Sequence, residues 1–199
     1  MNKLGKWTVP VIVLGALILI AMIMGGVYNS LVASRENVNN ATADLQSAYQ
    51  RRSDLIPNLV NTVKGSSSFE QDILTAVVDA RAKATQITLS ADATPEQLQA
   101  FQSAQSGLSS SLSRLIAVAE NYPDIKSTQA YQDLMVQLEG TENRINTARN
   151  DYNETAKNHN VKVQSFPTNL VAGMFGFKTV ILFQGDPGVE KSPTVNFGN

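Results

Sequence analysis

Apolar residues fall at Val38, Ala41, Leu45, Ala48, Leu55, Leu59 and Val63, and the spacing alternates three and four once Arg52 is counted in the series. A period of this kind, sustained over about four heptads, predicts an amphipathic helix. Gly65 ends it. A second stripe at Ile73, Ala76, Val77 and Ala80 predicts a helix to about Gln86, with Ser66 to Ser68 as the turn before it and Ser68 with Gln71, or Ser67 with Glu70, as a capping box. The stretch ITLSADA reads as a loop. Thr94, Pro95 and Gln97 then supply the N-cap, the N1 proline and the N3 partner of a third helix. Its frame is Leu98, Phe101, Gln105, Leu108, Leu112, Leu115 and Ala119, and Tyr122 with Pro123 stops it. The fourth helix starts near Thr128 and carries Tyr131, Leu134, Leu138, Thr141, Ile145, Ala148, Tyr152, Thr155 and His159. It ends near Gln164, before Phe166 and Pro167. No strand-like alternation competes before Thr179.

Ahead of these helices, Trp7 to Val27 is a run of 21 residues without a charge. At ~1.5 Å per residue it is long enough to cross a hydrocarbon core of ~30 Å, so the chain is expected to span the membrane once. A cleaved signal peptide competes with an uncleaved signal anchor, since Lys3 and Lys6 precede the run. The run exceeds the usual h-region, however, and MIMGGVYNS offers no A-x-A site, which favours the anchor. Lys3, Lys6 and the terminal amine, against Arg35 on the far side, place the amino terminus in the cytoplasm and the large domain outside.

Helices one, from Tyr28, and four each cover about 37 residues, or ~55 Å, while two and three are shorter. With tight connections between them, the predicted fold is all-α: a transmembrane helix followed by an antiparallel up-down-up-down four-helix bundle standing on the membrane. Three regions follow: anchor 1–27, bundle 28–164, and apolar membrane-proximal segment with irregular tail 165–199. In such a bundle, helix one leaves the bilayer and helix four returns to it. Facing residues on the two should then have numbers summing to about 192, as Tyr28 with Gln164 does.

That register bears on YQRRSDLIPNLVNTVKG, Tyr49 to Gly65, where a packing helix has no need of two arginines, an aspartate and a proline. Arg51 and Arg52 fall opposite Gly140 and Thr141, flanked by Glu139 and Glu142. Arg51, Asp54, Asn58 and Asn61 form one polar stripe, and Glu139, Glu142, Asn146, Arg149 and Asn153 form another. Polar stripes beside apolar seams fix pairing and register, because a buried charge without a partner costs several kcal/mol. Pro57 removes the hydrogen bond to the Ser53 carbonyl and crowds that turn, so the helix is expected to kink there, and the released carbonyl could accept from Arg51, from Arg52 or from an outside group. The functional alternative makes Arg51, Arg52, Asp54, Glu139, Glu142 and Arg149 a receptor for an anion or peptide.

The segment SFPTNLVAGMFGFKTVILF is dense in apolar groups. Phe166, Leu170, Met174, Phe175 and Phe177 either cap the base of the bundle, touch the membrane or meet another subunit.

Composition narrows the remaining chemistry. Removing Lys3 and Lys6 from 16 basic residues leaves 14 against 17 acids, about −3 for the soluble part, which argues against nucleic acid or anionic lipid as the main partner. The absence of cysteine excludes disulfides, thiolate metal sites and cysteine nucleophiles. His159 stands alone in the helical frame, the serines of SGLSSSLS have no base at useful spacing, and Glu followed by His three residues on is absent. No phosphate loop or metal spacing is present, and neither catalysis nor a cofactor is expected.

Six blocks carry a family resemblance: YNSLVASRENV from Tyr28, RRSDLIPNLVNTVKG from Arg51, AENYPDIK from Ala119, LEGTENRINTARNDYN from Leu138, FPTNLVAGMFGFK from Phe166 and PTVNF from Pro193. In order over nearly the whole chain, they resemble the LemA family. The resemblance implies a bacterial membrane-anchored helical bundle with no established enzymatic chemistry and no agreed ligand. It also implies a topology with a short outward amino terminus and the domain inside, against the lysines of this chain. The function expected is a non-catalytic scaffold of the bacterial inner membrane. Its partners are the lipid bilayer and copies of itself or another envelope protein, and Gly25 and Gly26 allow close helix approach. The alternative is a membrane-anchored sensor or binding module.

Overall fold

Helix α1, Gly5–Lys64, is one uninterrupted helix of 60 residues, ~90 Å long, in the computed structural model, which describes residues 5–64 and 70–183. The apolar run and the first bundle helix are therefore one rod, continuing through both Pro10 and Pro57. Along its first part the large apolar side chains from Val9 to Ile23 are each more than half exposed. This is the one described helix long and apolar enough to cross a membrane. Lys3 and the turn serines Ser66 to Ser68 lie outside the described residues.

After α1 come α2 (Gln71–Gln86), α3 (Pro95–Ala119), α4 (Pro123–Lys126), α5 (Gln129–Gln164) and α6 (Thr168–Phe175), and no strand occurs among the described residues. The expected cap of α3 is present: Thr94 Oγ1 accepts from Gln97 N–H and the Gln97 side chain accepts from Thr94 N–H. Helix α2 has Glu70 at its N-cap without a side-chain cap bond. Two short helices were not expected: α4 in the turn after Tyr122, and α6.

Antiparallel α1 and α5 pack along their length, α2 pairs with α3, and α2 also leans on α1. Lys162 Nζ lies 3.4 Å from Ser30 Oγ, a pair whose numbers sum to the expected 192. The core changes composition along the rod. At the top, α1 to α5 all contribute, with Leu59, Val77, Leu115 and Leu138 among the buried groups. In the middle the ITLSADA loop enters the core with Leu89 and Ala91, beside Leu45, Phe101 and Tyr152. At the base Leu31 meets Val171 and Ala172 of α6.

The expected frames of α3, α1 and α5 are the buried faces, apart from Ala41, Ala148 and Thr155, which are half-buried. In α2 the stripe is corrected: Leu74 is buried and Ala76 is exposed. Leu74 adjoins Ile73 in the upper core, where its larger apolar area is removed from water.

Candidate functional site

Every fourth or third position of α1 from Val38 to Val63 points into the core, and Arg52 holds one of them. A guanidinium there is tolerated only if its donors are satisfied. Nη1 donates to Glu142 Oε1 at 2.7 Å and to Ser109 Oγ at 2.9 Å, and Nη2 donates to Gln105 Oε1 at 2.6 Å. Gln105 in turn donates to the Ala84 carbonyl at 3.4 Å, so the network joins α1, α2, α3 and α5. The guanidinium also lies over the Tyr49 ring, 5.3 Å from its centroid, and Tyr49 meets Phe101 edge-on. Arg52 Nε and Ser53 Oγ are buried without a hydrogen-bond partner among the described residues.

Of the six polar residues singled out, the structure joins two, Arg52 and Glu142. Arg149 lines the same groove, of about 400 Å³, with Ser106, Ser110 and Asn146. Glu139 is exposed in the neighbouring apolar groove between α3 and α5. Arg51 and Asp54 do not join them. Arg51 is exposed in a separate groove with Asp44, Arg144 and Asp151, and Asp54 accepts from Gln50 Nε2 at 2.7 Å. One residue along a helix turns a side chain by ~100°, and here that turn carries Arg51 off the face on which Arg52 is buried.

The carbonyl that Pro57 frees is claimed by neither Arg51 nor Arg52. Arg81 Nε of α2 donates to Ser53 O at 2.8 Å. Sequence periodicity missed this because Arg81 flanks the α2 stripe and its partner is a backbone atom.

A second polar constellation was also missed. After α6, whose end is set by Gly176 in the left-handed region at φ 75°, the chain runs extended back along α5 as far as Phe183. Asn160 Nδ2 donates to Val180 O and its Oδ1 accepts from Val180 N–H, both at 2.8 Å. Asn153 does the same for Phe183, at 3.0 and 2.8 Å. Seven helical residues rise ~10.5 Å, and three extended residues span ~10 Å, so the two amides stand at the repeat of the strap. Tyr152 Oη adds a bond to Ile181 O at 2.8 Å, and Val180 and Phe183 are buried. The signal in the sequence was the seven-residue spacing of two asparagines beside the frame.

His159 lies beneath this strap, fully buried, with Nε2 3.1 Å from the Lys178 carbonyl. The carbonyl only accepts, so Nε2 carries the proton, and Nδ1 has no partner among the described residues. Burial holds the imidazole below its ordinary pKa, against the Lys178 hydrogen bond, with the nearby Arg35 and Lys162 charges adding to the lowering.

Among the described residues no group of three or more His, Asp or Glu side chains is placed to hold a metal. The five apolar residues near the base divide. Phe177 is half-buried against the Leu31 cluster, whereas Phe166, Leu170, Met174 and Phe175 are exposed.

Comparison with known proteins gives this architecture a lineage. Magnetosome protein MamQ 2 of Paramagnetospirillum magneticum strain AMB-1 is 30% identical over 178 residues, covering 80% of this chain and 65% of its own. Magnetosome protein MamQ of Magnetospirillum gryphiswaldense is 27% identical over the same shares. The chain thus spans about 65% of the length of these relatives. Protein LemA of Metamycoplasma hominis is 25% identical over 156 residues, 78% of this chain and 68% of its own. The family model described as LemA family matches residues 41–197, which takes in α5, the Asn153 and Asn160 clamp and the Arg52 network, and the chain belongs to the LemA family.

Proposed function

We propose that this chain is a membrane-anchored helical scaffold of the bacterial cell envelope that assembles with copies of itself or with another envelope protein and carries no catalytic activity. The observation that carries this reading is the continuity of α1. The same 60-residue helix that exposes an apolar surface at one end supplies the bundle core at the other, so motion of the anchor is motion of the bundle. A rod of that kind suits holding partners at a set height over a bilayer. In this reading the span crosses the inner membrane once, as an uncleaved anchor, with the bundle outside as the two lysines direct. The buried polar groups support it too: Arg52, Gln105 and Glu142 are engaged with one another across the helices, a register device. Relatives named as magnetosome proteins accord with a membrane-associated role.

The test is energy transfer between donor- and acceptor-labelled copies in liposomes. A scaffold that self-associates keeps its transfer efficiency when lipid is increased tenfold at constant protein. Efficiency that falls to the level of random mixing would leave only assembly with another protein.

A second reading, a binding module for an anionic or peptide ligand, is favoured by the groove above Arg52. Arg149, Asn146, Ser106 and Ser110 line it, and Arg149 makes no ion pair among the described residues. Arg149→Ala separates the readings, since it spares the Arg52 network. Loss of ligand affinity with unchanged stability would support a receptor.

A further inference from the structure

Beyond Thr168 and Asn169 of its first turn, helix α6 is apolar on both faces. Val171 and Ala172 are buried against Leu31, with Met24, Val27 and Val163 packed around them. The outer face presents Leu170 at 59%, Met174 at 69% and Phe175 at 54% exposure, with Phe166 just before the helix at 80%. A helix that only capped the bundle would turn polar groups outward. From Ser165 to Phe183 the one charged residue is the exposed Lys178.

The position of this face selects what covers it. Met24 and Val27 close the apolar run of α1, and the side chains before them, up to Ile23, are exposed for a bilayer to cover. The contacts of α6 therefore set it within about one or two turns, ~5–10 Å, of the level at which the span leaves the hydrocarbon. Tyr28 marks the same level. Its ring stands 4.8 Å from Phe175 and 5.7 Å from Phe177, centroid to centroid, an aromatic cluster of the kind enriched at membrane interfaces. Through Met24, Val27 and Tyr28 the α6 segment meets the end of the apolar run of α1, and the exposed Lys162 and Lys178 mark the polar border of this region.

We infer that α6 is a second membrane contact: its outer face is seated in the interface of the bilayer that the anchor crosses, with Phe166, Leu170, Met174 and Phe175 among the acyl-chain ends. This rests on the anchor spanning a membrane. It deepens the scaffold reading, because a rod held at one point can tilt, whereas a rod with a foot beside it has a set inclination.

The chain has no cysteine, so single sites can carry a nitroxide. Leu170→Cys and Met174→Cys would be labelled in the full-length protein in nanodiscs of phosphatidylcholine and phosphatidylglycerol, with Leu17→Cys in the anchor and Val136→Cys on the upper bundle as references. The readout is the ratio of collision with oxygen to collision with a soluble nickel chelate. The expected result is a ratio at 170 and 174 several-fold above that at 136 and in the direction of that at 17. Ratios at 170 and 174 that match 136 while 17 reads as lipid would overturn the inference and leave the anchor intact. Protection of 170 and 174 from both reagents would overturn it in favour of contact between copies. A water-exposed 17 would remove the spanning reading on which it rests.

Discussion

Arg52 and Glu142, 90 positions apart, meet at 2.7 Å with the arginine 2% and the glutamate 44% exposed. The two ends of this pair are therefore unequal. Arg52→Ala leaves Gln105 and Ser109 facing a large cavity, while the half-exposed Glu142 turns to water, and the cavity with its unpaired polar groups is expected to lower stability by about 3–5 kcal/mol. Glu142→Ala leaves a guanidinium that still has Gln105, Ser109 and the Tyr49 ring, with water within reach of the vacated side, and should cost less, about 1–2 kcal/mol. Urea denaturation of the two variants checks the order. Equal costs would mean that the ion pair outweighs the packed network.

The strap along α5 should open separately from the bundle. Asn160→Ala removes both bonds to Val180 and leaves a buried backbone N–H and C=O unpaired, a cost of about 1–3 kcal/mol confined to the strap. Amide exchange at Val180 and Phe183 is expected to accelerate roughly 10- to 100-fold, while amides of α3 keep their protection. Uniform acceleration would show that strap and bundle unfold together.

His159 makes stability depend on pH in one direction. Its folded pKa is depressed, chiefly by burial, so the unfolded imidazole takes up a proton near pH ~6.5 while the folded one stays neutral. The unfolded state then binds more protons, and stability declines as pH falls below about 6.5 towards the folded pKa, by up to about 1.4 kcal/mol per unit. Above pH ~7.5 this contribution is constant. His159→Gln, which keeps a donor for the Lys178 carbonyl and does not titrate, should flatten the slope between pH 5 and 7 in thermal denaturation.

Pro57 and Arg81 are expected to be coupled. The proline has no N–H for the Ser53 carbonyl, and Arg81 supplies a donor from the next helix. Arg81→Ala should cost about 1–2 kcal/mol in the native chain and clearly less on a Pro57→Ala background, where the new N–H can bond Ser53. A double-mutant cycle with no coupling would contradict this arrangement.

Those four relationships show where the sequence was legible. The frames of α1, α3 and α5 follow from three-and-four spacing, because a helix buries one stripe and local geometry alone decides which. The register of α1 on α5 followed from helix lengths, and Lys162 with Ser30 meets it. The tertiary additions were not legible. Arg81 reaches a backbone carbonyl exposed by a proline 24 positions earlier, a partner that no side-chain pattern announces. The residues from Lys178 to Phe183 belong by sequence to the apolar membrane-proximal segment, yet Val180 and Phe183 fill the middle core beside Phe101 and Tyr152. Its polar clamp uses Asn153, which reads as an ordinary stripe residue, and Asn160, which belongs to no stripe. Arg51 and Arg52, treated as a unit, are parted by the helical turn.

The central claim is that the anchored bundle assembles. Its most direct test is the mass of the full-length protein, extracted in mild detergent or nanodiscs, by light scattering at several concentrations. A scaffold predicts a mass that is a fixed multiple of the 21.5 kDa chain and holds on dilution. A monodisperse monomer at every concentration would contradict self-assembly and turn attention to the groove beside Arg52 and Arg149.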